Sequence, residues 1–203
     1  MSLDFESNAP PIGSEDELVD WFADGEKTSG RLGVGVEHEK LPYRNADFGP
    51  VTYGEGIGPF LKGMSRFGWE PIGGNAVVAL KRGAESITLE PGGQVELAGA
   101  VHHSLVDARD EMRRHLDECD EVSQELGFGF AWLGLRPRGM GSEMPLMPKE
   151  RYRRMSAYLP RQGRRALDMM FLSATVQANF DYTSESDMVA KMRTAMLVSP
   201  IVA

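Results

Sequence analysis

Apolar residues recur at intervals of three and four along one long segment of the chain. This spacing, which ends at Gly127, predicts a helix over about residues 103–126. The apolar stripe of that helix consists of Leu105, Ala108, Met112, Leu116, Cys119, Val122 and Leu126. The rest of its surface is strongly charged, so we expect the stripe to pack against another layer of the fold.

Shorter segments show the same helical spacing. Ser14 and Glu17 form a capping box and predict a first helix over about residues 15–24. Further helices are predicted over 58–67, 149–158 and 185–198, the last one packing through Met188, Val189, Met192, Ala195 and Met196.

Other segments alternate between apolar and polar residues, which is typical of strands with one buried face. Strands are predicted over 33–40, 76–81, 86–97, 128–135 and 174–182, with a turn at 73–75. The segment 86–97 is interrupted at Pro91-Gly92-Gly93, which no regular strand would tolerate. The alternation places three polar pairs on strand faces: Glu37 with Glu39, Glu90 with Glu96, and Gln177 with Asn179.

The order of these elements indicates the fold class. Strands and helices do not alternate strictly, which favours an α+β fold with a mainly antiparallel sheet. The helix at 103–126 should cover the back of that sheet through Leu105, Met112, Leu116 and Leu126. Because there is no repeat and no linker, residues 1–203 are predicted to form a single domain.

Composition narrows the range of partners and compartments. The formal charge of -8, from 30 acidic and 22 basic residues, argues against nucleic acid. No run of about 18 apolar residues predicts a membrane span. Residues 1–6 lack the features of a signal peptide, so we expect a cytoplasmic protein. Cys119 is the only cysteine and is predicted to be an inert core thiol, which leaves no intrachain disulfide.

The three polar strand faces are the main candidate for chemistry. For any one of the pairs, an antiparallel sheet with one solvated face is the better explanation. Three acidic or amide pairs together are harder to explain in that way, because like charges on neighbouring positions repel unless a cation gathers them. Carboxylate and amide oxygens are ligands of Mg²⁺, which phosphate oxygens also bind. The pattern therefore predicts that this face of the sheet binds a Mg²⁺–nucleotide complex.

Other nucleotide-binding motifs are missing from the sequence. There is no G-x-x-x-x-G-K-[ST] loop, and the glycines at 127 and 129 precede a strand instead of a helix. Any ATP must therefore be bound by another arrangement.

Five segments, in this order, resemble motifs of the plant and proteobacterial type of glutamate–cysteine ligase. They are Gly35–Lys40 (GVEHEK), Ser86–Gly99 (SITLEPGGQVELAG), Met147–Tyr152 (MPKERY), Gly163 with Leu167–Met170 (LDMM), and Thr175–Asp181 (TVQANFD). The resemblance covers about residues 31–203, and the glycine–carboxylate block at 86–99 is its most specific part.

The resemblance implies a fold and a reaction. The fold would be glutamine-synthetase-like, with a curved antiparallel sheet whose concave face is the active site and whose helices lie on the convex face. In the reaction, ATP would phosphorylate the γ-carboxylate of glutamate, and the amine of cysteine would displace phosphate. Mg²⁺ would be held by Glu37, Glu39, Glu90 and Glu96.

The resemblance also implies substrate contacts. Gln177 and Asn179 would orient substrate without adding charge. Arg151 is a candidate clamp for the α-carboxylate because a guanidinium matches a carboxylate bidentately, although an ordinary surface arginine explains it as well.

The sequence departs from the family in two respects. With one cysteine, the regulatory disulfides of the plant enzymes cannot form within the chain. The family's second half is also missing, so we expect the N-terminal part of a catalytic domain, an incomplete sheet and no activity from these residues alone. An unpaired edge around residues 174–182 would favour self-association. Two alternatives stay open: a ligase that joins glutamate to another amine, and an inactive Mg²⁺-binding or regulatory module.

Overall fold

The computed structural model describes residues 11–72 and 76–202. The turn predicted at 73–75 lies outside the described residues. The helices in the described residues are α1 (Glu15–Asp24), α2 (Gly58–Gly63), α3 (Leu105–Glu125), α4 (Glu150–Tyr158), α5 (Ala166–Leu172) and α6 (Glu185–Val202). The strands are β1 (Val34–Arg44), β2 (Glu70–Ile72), β3 (Ala79–Arg82), β4 (Glu85–Leu89), β5 (Val95–His102), β6 (Phe128–Ala131) and β7 (Val176–Phe180).

The strands form one open sheet in which every pairing is antiparallel. Its order is β2-β3-β4-β5-β1-β6, and β7 also pairs with β1. The long central strand β1 therefore contacts three neighbours, pairing with β5 over Val34–Lys40, with β7 over Val34–His38 and with β6 over Leu41–Arg44. The predicted α+β class and mainly antiparallel sheet are confirmed.

The hydrophobic core lies on one face of this sheet. The apolar residues that alternate along β4 and β5 are almost completely buried: Ile87, Leu89, Val95 and Leu97. They pack with α2 and the segment after it, which contribute Phe60, Leu61, Met64 and Trp69. Because side chains alternate along a strand, Thr88 and Glu96 point to the opposite face. One face of the sheet is thus core, and the other is available for a site.

Helix α3 covers the core face, but only in part through the residues that we expected. Leu105 is 75% exposed and Leu126 is 38% exposed, so their predicted packing is wrong, and Met112 and Leu116 are only half-buried. The buried face instead contains Ala108, Glu111, His115, Glu118, Cys119, Val122 and Ser123. Ala108, Cys119 and Val122 belong to the predicted stripe, which is confirmed there. Hydrophobic spacing missed the other four residues because they are polar or ionisable.

Two buried carboxylates of α3 have specific partners in or next to the sheet, which explains why they tolerate burial. Glu118 accepts hydrogen bonds from the Trp69 indole at 2.9 Å and from Arg82 at 2.7 Å. Glu111 accepts one at 3.0 Å from the backbone N–H of Ala100 in β5. Polar contacts therefore fix α3 on the sheet together with Cys119 and Val122.

Other element boundaries also differ from the predictions. The helix predicted over 58–67 is divided into α2 and a 3-10 helix at Met64–Phe67, which ends at Gly68 with φ +82°. β1 continues past residue 40 to Arg44, whereas the strand predicted over 128–135 stops at Ala131. The predicted strand 86–97 is two strands, β4 and β5, separated by the expected break at residues 91–93.

The last two elements form an exposed edge. All five residues of β7 are exposed, and α6 has no buried residue. The predicted packing of α6 is therefore wrong for Met192, Ala195 and Met196, which are exposed, whereas Met188 and Val189 are half-buried. Helix α6 has apolar residues around its circumference instead of one clear stripe.

Candidate functional site

The sheet face opposite the core carries the predicted acidic residues. Glu37 and Glu39 alternate with the buried His38 and Lys40 along β1, which puts the two carboxylates on the face away from α3. In the pairing of β1 with β5, Glu39 lies directly opposite Glu96. Three of the four acidic residues therefore come together through strand alternation and register.

Glu96 is buried and held by its neighbour on β4. Thr88 faces Glu96 in the β4–β5 pairing, and its hydroxyl donates a hydrogen bond to a Glu96 carboxylate oxygen at 2.8 Å. This contact fixes the Glu96 side chain on the face that it shares with Glu39.

Glu90 follows β4 directly and is positioned by the turn at residues 91–94. Its N–H donates to the Gln94 carbonyl at 2.8 Å, and its own carbonyl accepts from the Gly93 N–H at 3.0 Å. Gly93 has φ +89°, a conformation that favours glycine. At Gly92 an added Cβ would lie 2.5 Å from the Phe171 carbonyl oxygen. The turn at Pro91-Gly92-Gly93 therefore determines the position of Glu90.

Burial and mutual repulsion raise the pKa of two of these acidic residues, Glu90 and Glu39. Burial, followed by the negative charge of Glu96, raises the pKa of Glu90 to about 7. Burial also raises the pKa of Glu39, with Glu96 and Glu37 adding to the effect and a hydrogen bond from the Thr175 backbone opposing it. The carboxylates are therefore close enough to disfavour one another's ionised forms.

Strand β7 brings the predicted amides beside β1. Gln177 lies opposite Glu37 and Asn179 opposite Gly35 in the β1–β7 pairing. The Asn179 amide donates to the Glu37 carboxylate at 3.1 Å, and the Gln177 amide donates to the Thr175 hydroxyl at 3.1 Å. Both amides are exposed, so one edge of the acidic face is lined by neutral polar groups.

Arg151 lies on the first turn of α4, whose start is anchored to the end of β4. The Tyr152 hydroxyl and the Lys149 ammonium both donate to the Leu89 carbonyl oxygen, at 2.6 Å and 2.8 Å. The Arg151 guanidinium lies 5.3 Å from the centre of the Tyr152 ring, and its charge acts to lower the pKa of Glu90. Arg151 is therefore a cation beside the acidic face.

A cavity of about 240 Å³ opens on this face. Three predicted site residues line it: Glu39, Glu90 and Gln177. The remaining lining comes from the turn, α4, α5 and the segment before β7, namely Pro91, Gln94, Met155, Met169, Met170, Ser173 and Thr175. Glu37, Glu96, Asn179 and Arg151 are not part of that lining.

The acidic residues offer the carboxylate oxygens that a metal ion would need, but they are not arranged as a preformed metal site. Within residues 11–72 and 76–202, no three His, Cys, Asp or Glu side chains are arranged as a group that could hold a metal ion. The oxygen donors and the raised pKa of Glu39 and Glu90 do fit a hard divalent cation, because a cation would relieve their repulsion. The assignment of metal ligands stays a prediction.

Sequence reasoning missed a buried cation beneath the acidic strand. Lys40 is fully buried, donates to the His38 carbonyl at 2.7 Å, and has its pKa lowered to about 8 by burial. Cys119 is also buried, as predicted, and burial raises the pKa of its thiol to about 12. The uninterrupted Glu-His-Glu-Lys alternation could have indicated Lys40, since a strand that buries His38 must bury Lys40 as well.

The sequence profile of glutamate-cysteine ligase family 2 matches residues 33–203. The chain belongs to this family. It is 40% identical over 193 residues to the glutamate–cysteine ligase of Medicago truncatula, covering 94% of this chain and 38% of that protein. Ligase A of Oryza sativa subsp. japonica is 41% identical over 94% of this chain and 39% of its own length. The glutamate–cysteine ligase of Arabidopsis thaliana is 39% identical, and the match covers 94% of this chain and 37% of that protein.

These relatives correct one expectation about the family member described here. We expected a cytoplasmic protein, but the relatives are named chloroplastic, so that expectation is wrong. The chain spans 37–39% of the length of these relatives, and its first residues carry no information about the targeting of a longer protein. No helix in the described parts of the chain is both long enough and apolar enough to cross a bilayer.

Proposed function

We propose that the protein to which this chain belongs is an ATP-dependent ligase that joins the γ-carboxylate of glutamate to the amine of cysteine. The product is γ-glutamylcysteine, and the reaction is the first step of glutathione biosynthesis. The observation that carries the proposal is the gathering of Glu39, Glu90 and Glu96 on one sheet face in a member of the ligase family. Residues 1–203 are then the N-terminal part of the catalytic domain.

The acidic face answers the electrostatic problem of this reaction. Glutamate and the triphosphate of ATP are both anions and must approach each other closely. Mg²⁺ held by Glu37, Glu39, Glu90 and Glu96 would screen that repulsion and stabilise charge on the transferring phosphoryl group. The raised pKa of Glu90 supports this role, since burial and then the charge of Glu96 disfavour its ionised form, which a shared cation would stabilise.

The neighbouring polar residues serve substrate binding in this proposal. Gln177 and Asn179 orient glutamate through neutral amides, which add no charge beside the carboxylates. Arg151 binds the α-carboxylate, supported by its place beside Glu90 and against the Tyr152 ring. The cavity lined by Glu39, Glu90 and Gln177 is the space in which the γ-carboxylate reacts.

The test is turnover by the full-length protein with ATP, glutamate and cysteine, followed by coupled ADP release and by detection of γ-glutamylcysteine. Glu37→Gln keeps the side-chain shape but removes an anionic oxygen, so we expect weaker Mg-ATP binding and a loss of turnover of at least a hundredfold. Glu70→Gln, an exposed change on β2, is the matched control and should leave turnover unchanged.

The same assay separates the alternatives. Release of ADP with another amine but not with cysteine would identify a related glutamate–amine ligase and contradict the cysteine assignment. A full-length protein that binds Mg²⁺ but releases no ADP with any amine would contradict the enzymatic proposal and favour a binding or regulatory module.

A further inference from the structure

The backbone just before Glu90 is bound by two buried side chains. The Leu89 carbonyl oxygen accepts a hydrogen bond from the Tyr152 hydroxyl at 2.6 Å and another from the Lys149 ammonium at 2.8 Å. Tyr152 is fully buried and Lys149 is only 4% exposed, so water has little access to either donor. Burying an ammonium is costly even when it has partners, so the presence of Lys149 at this position needs an explanation.

The backbone just after Glu90 is bound by the same segment. The Met147 N–H donates to the Pro91 carbonyl oxygen at 3.0 Å, and the Met147 carbonyl accepts from the Lys149 N–H at 2.8 Å. Residues 147–152 therefore hold the peptide groups on both sides of Glu90. A carboxylate whose backbone is fixed at both sides needs only one further contact to fix the direction of its side chain.

Tyr152 supplies that contact. Its hydroxyl oxygen lies 3.3 Å from Glu90 Oε1, and Lys149 Nζ donates to the same hydroxyl oxygen at 3.3 Å. The single hydroxyl proton therefore points away from Lys149, towards Leu89 or Glu90. Because Lys149 also donates to the Leu89 carbonyl, that carbonyl keeps a donor when Tyr152 turns its proton to the Glu90 carboxylate.

Each of the other three acidic residues of this face accepts a hydrogen bond from a neutral donor. The pairs are the Asn179 amide with Glu37 at 3.1 Å, the Thr175 N–H with Glu39 at 2.9 Å, and the Thr88 hydroxyl with Glu96 at 2.8 Å. Carboxylates that bind metal ions are commonly hydrogen-bonded in this way, which fixes their orientation. The Tyr152 hydroxyl is the corresponding neutral donor for Glu90.

We propose that Tyr152 and Lys149 are positioning residues that orient the Glu90 carboxylate for Mg²⁺. The assignment rests on the proposed function, in which Glu90 is one of the Mg²⁺ ligands. Tyr152 donates to one carboxylate oxygen and leaves the other free for the cation, while Lys149 satisfies the Leu89 carbonyl. Neither residue has to touch the metal ion or a substrate. Partners that orient a ligand in this way contribute about tenfold to a hundredfold in metal affinity.

Calorimetric titration of Mg²⁺ into the metal-free full-length ligase tests this assignment. Tyr152→Phe removes the hydroxyl but keeps the ring, so Mg²⁺ should bind about tenfold more weakly. ADP release by this variant should need correspondingly more Mg²⁺, with turnover at saturating Mg²⁺ close to that of the parent. Tyr158→Phe removes an exposed hydroxyl from the same helix, α4, and is the matched control that should bind Mg²⁺ like the parent. Lower turnover with unchanged Mg²⁺ affinity would show a merely structural role for Tyr152 and overturn the assignment.

A double variant shows whether Tyr152 acts through Glu90. Glu90→Gln alone should weaken Mg²⁺ binding, and the addition of Tyr152→Phe should weaken it no further, because the carboxylate that Tyr152 orients is already lost. Fully additive effects of the two changes would overturn the assignment, since Tyr152 would then act on another part of the site. So would a Glu90→Gln variant with the Mg²⁺ affinity of the parent.

Lys149→Met keeps the test decisive if Tyr152→Phe does not fold. Without Lys149, the Leu89 carbonyl retains the proton of Tyr152 and Glu90 loses its donor, so Mg²⁺ binding should weaken. The loss of a cation beside Glu90 would by charge alone strengthen Mg²⁺ binding. Weaker binding in this variant therefore supports the positioning role, and unchanged or stronger binding would overturn it.

The outcome is distinguishable from failure of the proposed function. Synthesis of γ-glutamylcysteine by a ligase whose Mg²⁺ affinity does not respond to Tyr152→Phe would leave the function standing and remove the positioning role. Mg²⁺ binding that depends on Tyr152 and on Glu90, in a protein that makes no γ-glutamylcysteine, would have the opposite meaning.

Discussion

Glu39 and Glu96 lie directly opposite each other in the antiparallel pairing of β1 with β5. Like charges in such a pair are destabilising. The pKa of Glu39 is raised mainly by burial, and the negative charge of Glu96 adds to that effect. Hydrogen bonds from the Thr175 N–H to Glu39 at 2.9 Å and from Thr88 to Glu96 offset part of that cost. The protein thus maintains a repulsive pair at a face where a cation would be of use.

This repulsion predicts opposite effects of Glu39→Gln on stability and on activity. The amide keeps an oxygen that can accept from Thr175 but removes the charge facing Glu96. We expect the melting temperature of the full-length ligase in EDTA to rise, corresponding to about 0.5–1 kcal/mol, while turnover falls at least a hundredfold. Differential scanning calorimetry and ADP release on the same sample measure both. A parallel loss of stability and turnover would assign Glu39 a structural role instead.

Glu90 should make stability depend on pH. Its pKa is raised to about 7 in the folded state, against about 4.3 for an unfolded chain, so the folded state binds the extra proton between these values. The stabilisation that the protonated Glu90 gives to the folded state is fully present below about pH 4.3 and is lost as the pH rises through about 7. Glu90→Gln should therefore be more stable than the parent at pH 8 by about 1 kcal/mol or more, with little difference at pH 4.

Urea unfolding of the full-length ligase in EDTA between pH 4 and 8 measures the effect of Glu90→Gln. Glu70→Gln, which changes an exposed residue of β2, should follow the pH profile of the parent. Identical profiles for Glu90→Gln and the parent would contradict the raised pKa. Saturating Mg²⁺ should reduce the difference, because a cation favours the ionised carboxylate.

The Glu118 network should determine how firmly α3 is held on the sheet. Glu118→Ala leaves the Trp69 indole and the Arg82 guanidinium without this partner in a buried setting. We expect a loss of about 3 kcal/mol in the free energy of unfolding. Glu118→Gln keeps an acceptor oxygen and should lose about 1 kcal/mol.

The neighbouring Glu121 provides the matched control for this network. It is exposed and lies 3.5 Å from Arg66, so Glu121→Ala should change stability by less than about 0.5 kcal/mol. Equal effects of Glu118→Ala and Glu121→Ala in chemical denaturation would show that the buried network does not hold α3.

Strand periodicity was enough to predict which acidic residues share a face. A period of two assigns Glu37 and Glu39 to one side of β1 in any sheet, and the Pro91-Gly92-Gly93 break fixed where β4 ends. The register that brings Glu39 opposite Glu96 could not be predicted, because it depends on pairing between distant segments. The fold class followed from element order, which is insensitive to such details.

The failures have a common physical origin in buried polar groups. The inner face of α3 contains Glu111, His115 and Glu118, which hydrophobic spacing assigns to solvent. Arg136 escaped notice for the same reason, since its burial depends on the pairing of Leu135 with Ser173 and on its N–H bond to the Leu172 carbonyl. Tertiary partners, not local pattern, decide where such residues lie.

The last prediction concerns the edge formed by β7 and α6. Val176 and Phe180 of β7 are 67% and 68% exposed, and the strand pairs only with β1 among the described residues. Apolar residues of α6 such as Leu197 and Ile201 are exposed as well. Unpaired edges and large apolar patches promote association. The isolated 203-residue chain should therefore self-associate and form no γ-glutamylcysteine.

Sedimentation velocity over a range of concentrations, together with the coupled ADP assay, tests this prediction on the isolated chain and on the full-length protein. Ala178→Lys places a charge on the exposed strand β7, and Val176→Lys places one at an exposed apolar position, so both should reduce association. Ala157→Lys on α4 adds the same charge at an exposed site away from this edge and should not. A monomeric isolated chain with cysteine-dependent turnover would contradict both parts, since every essential group would then have to lie within these residues.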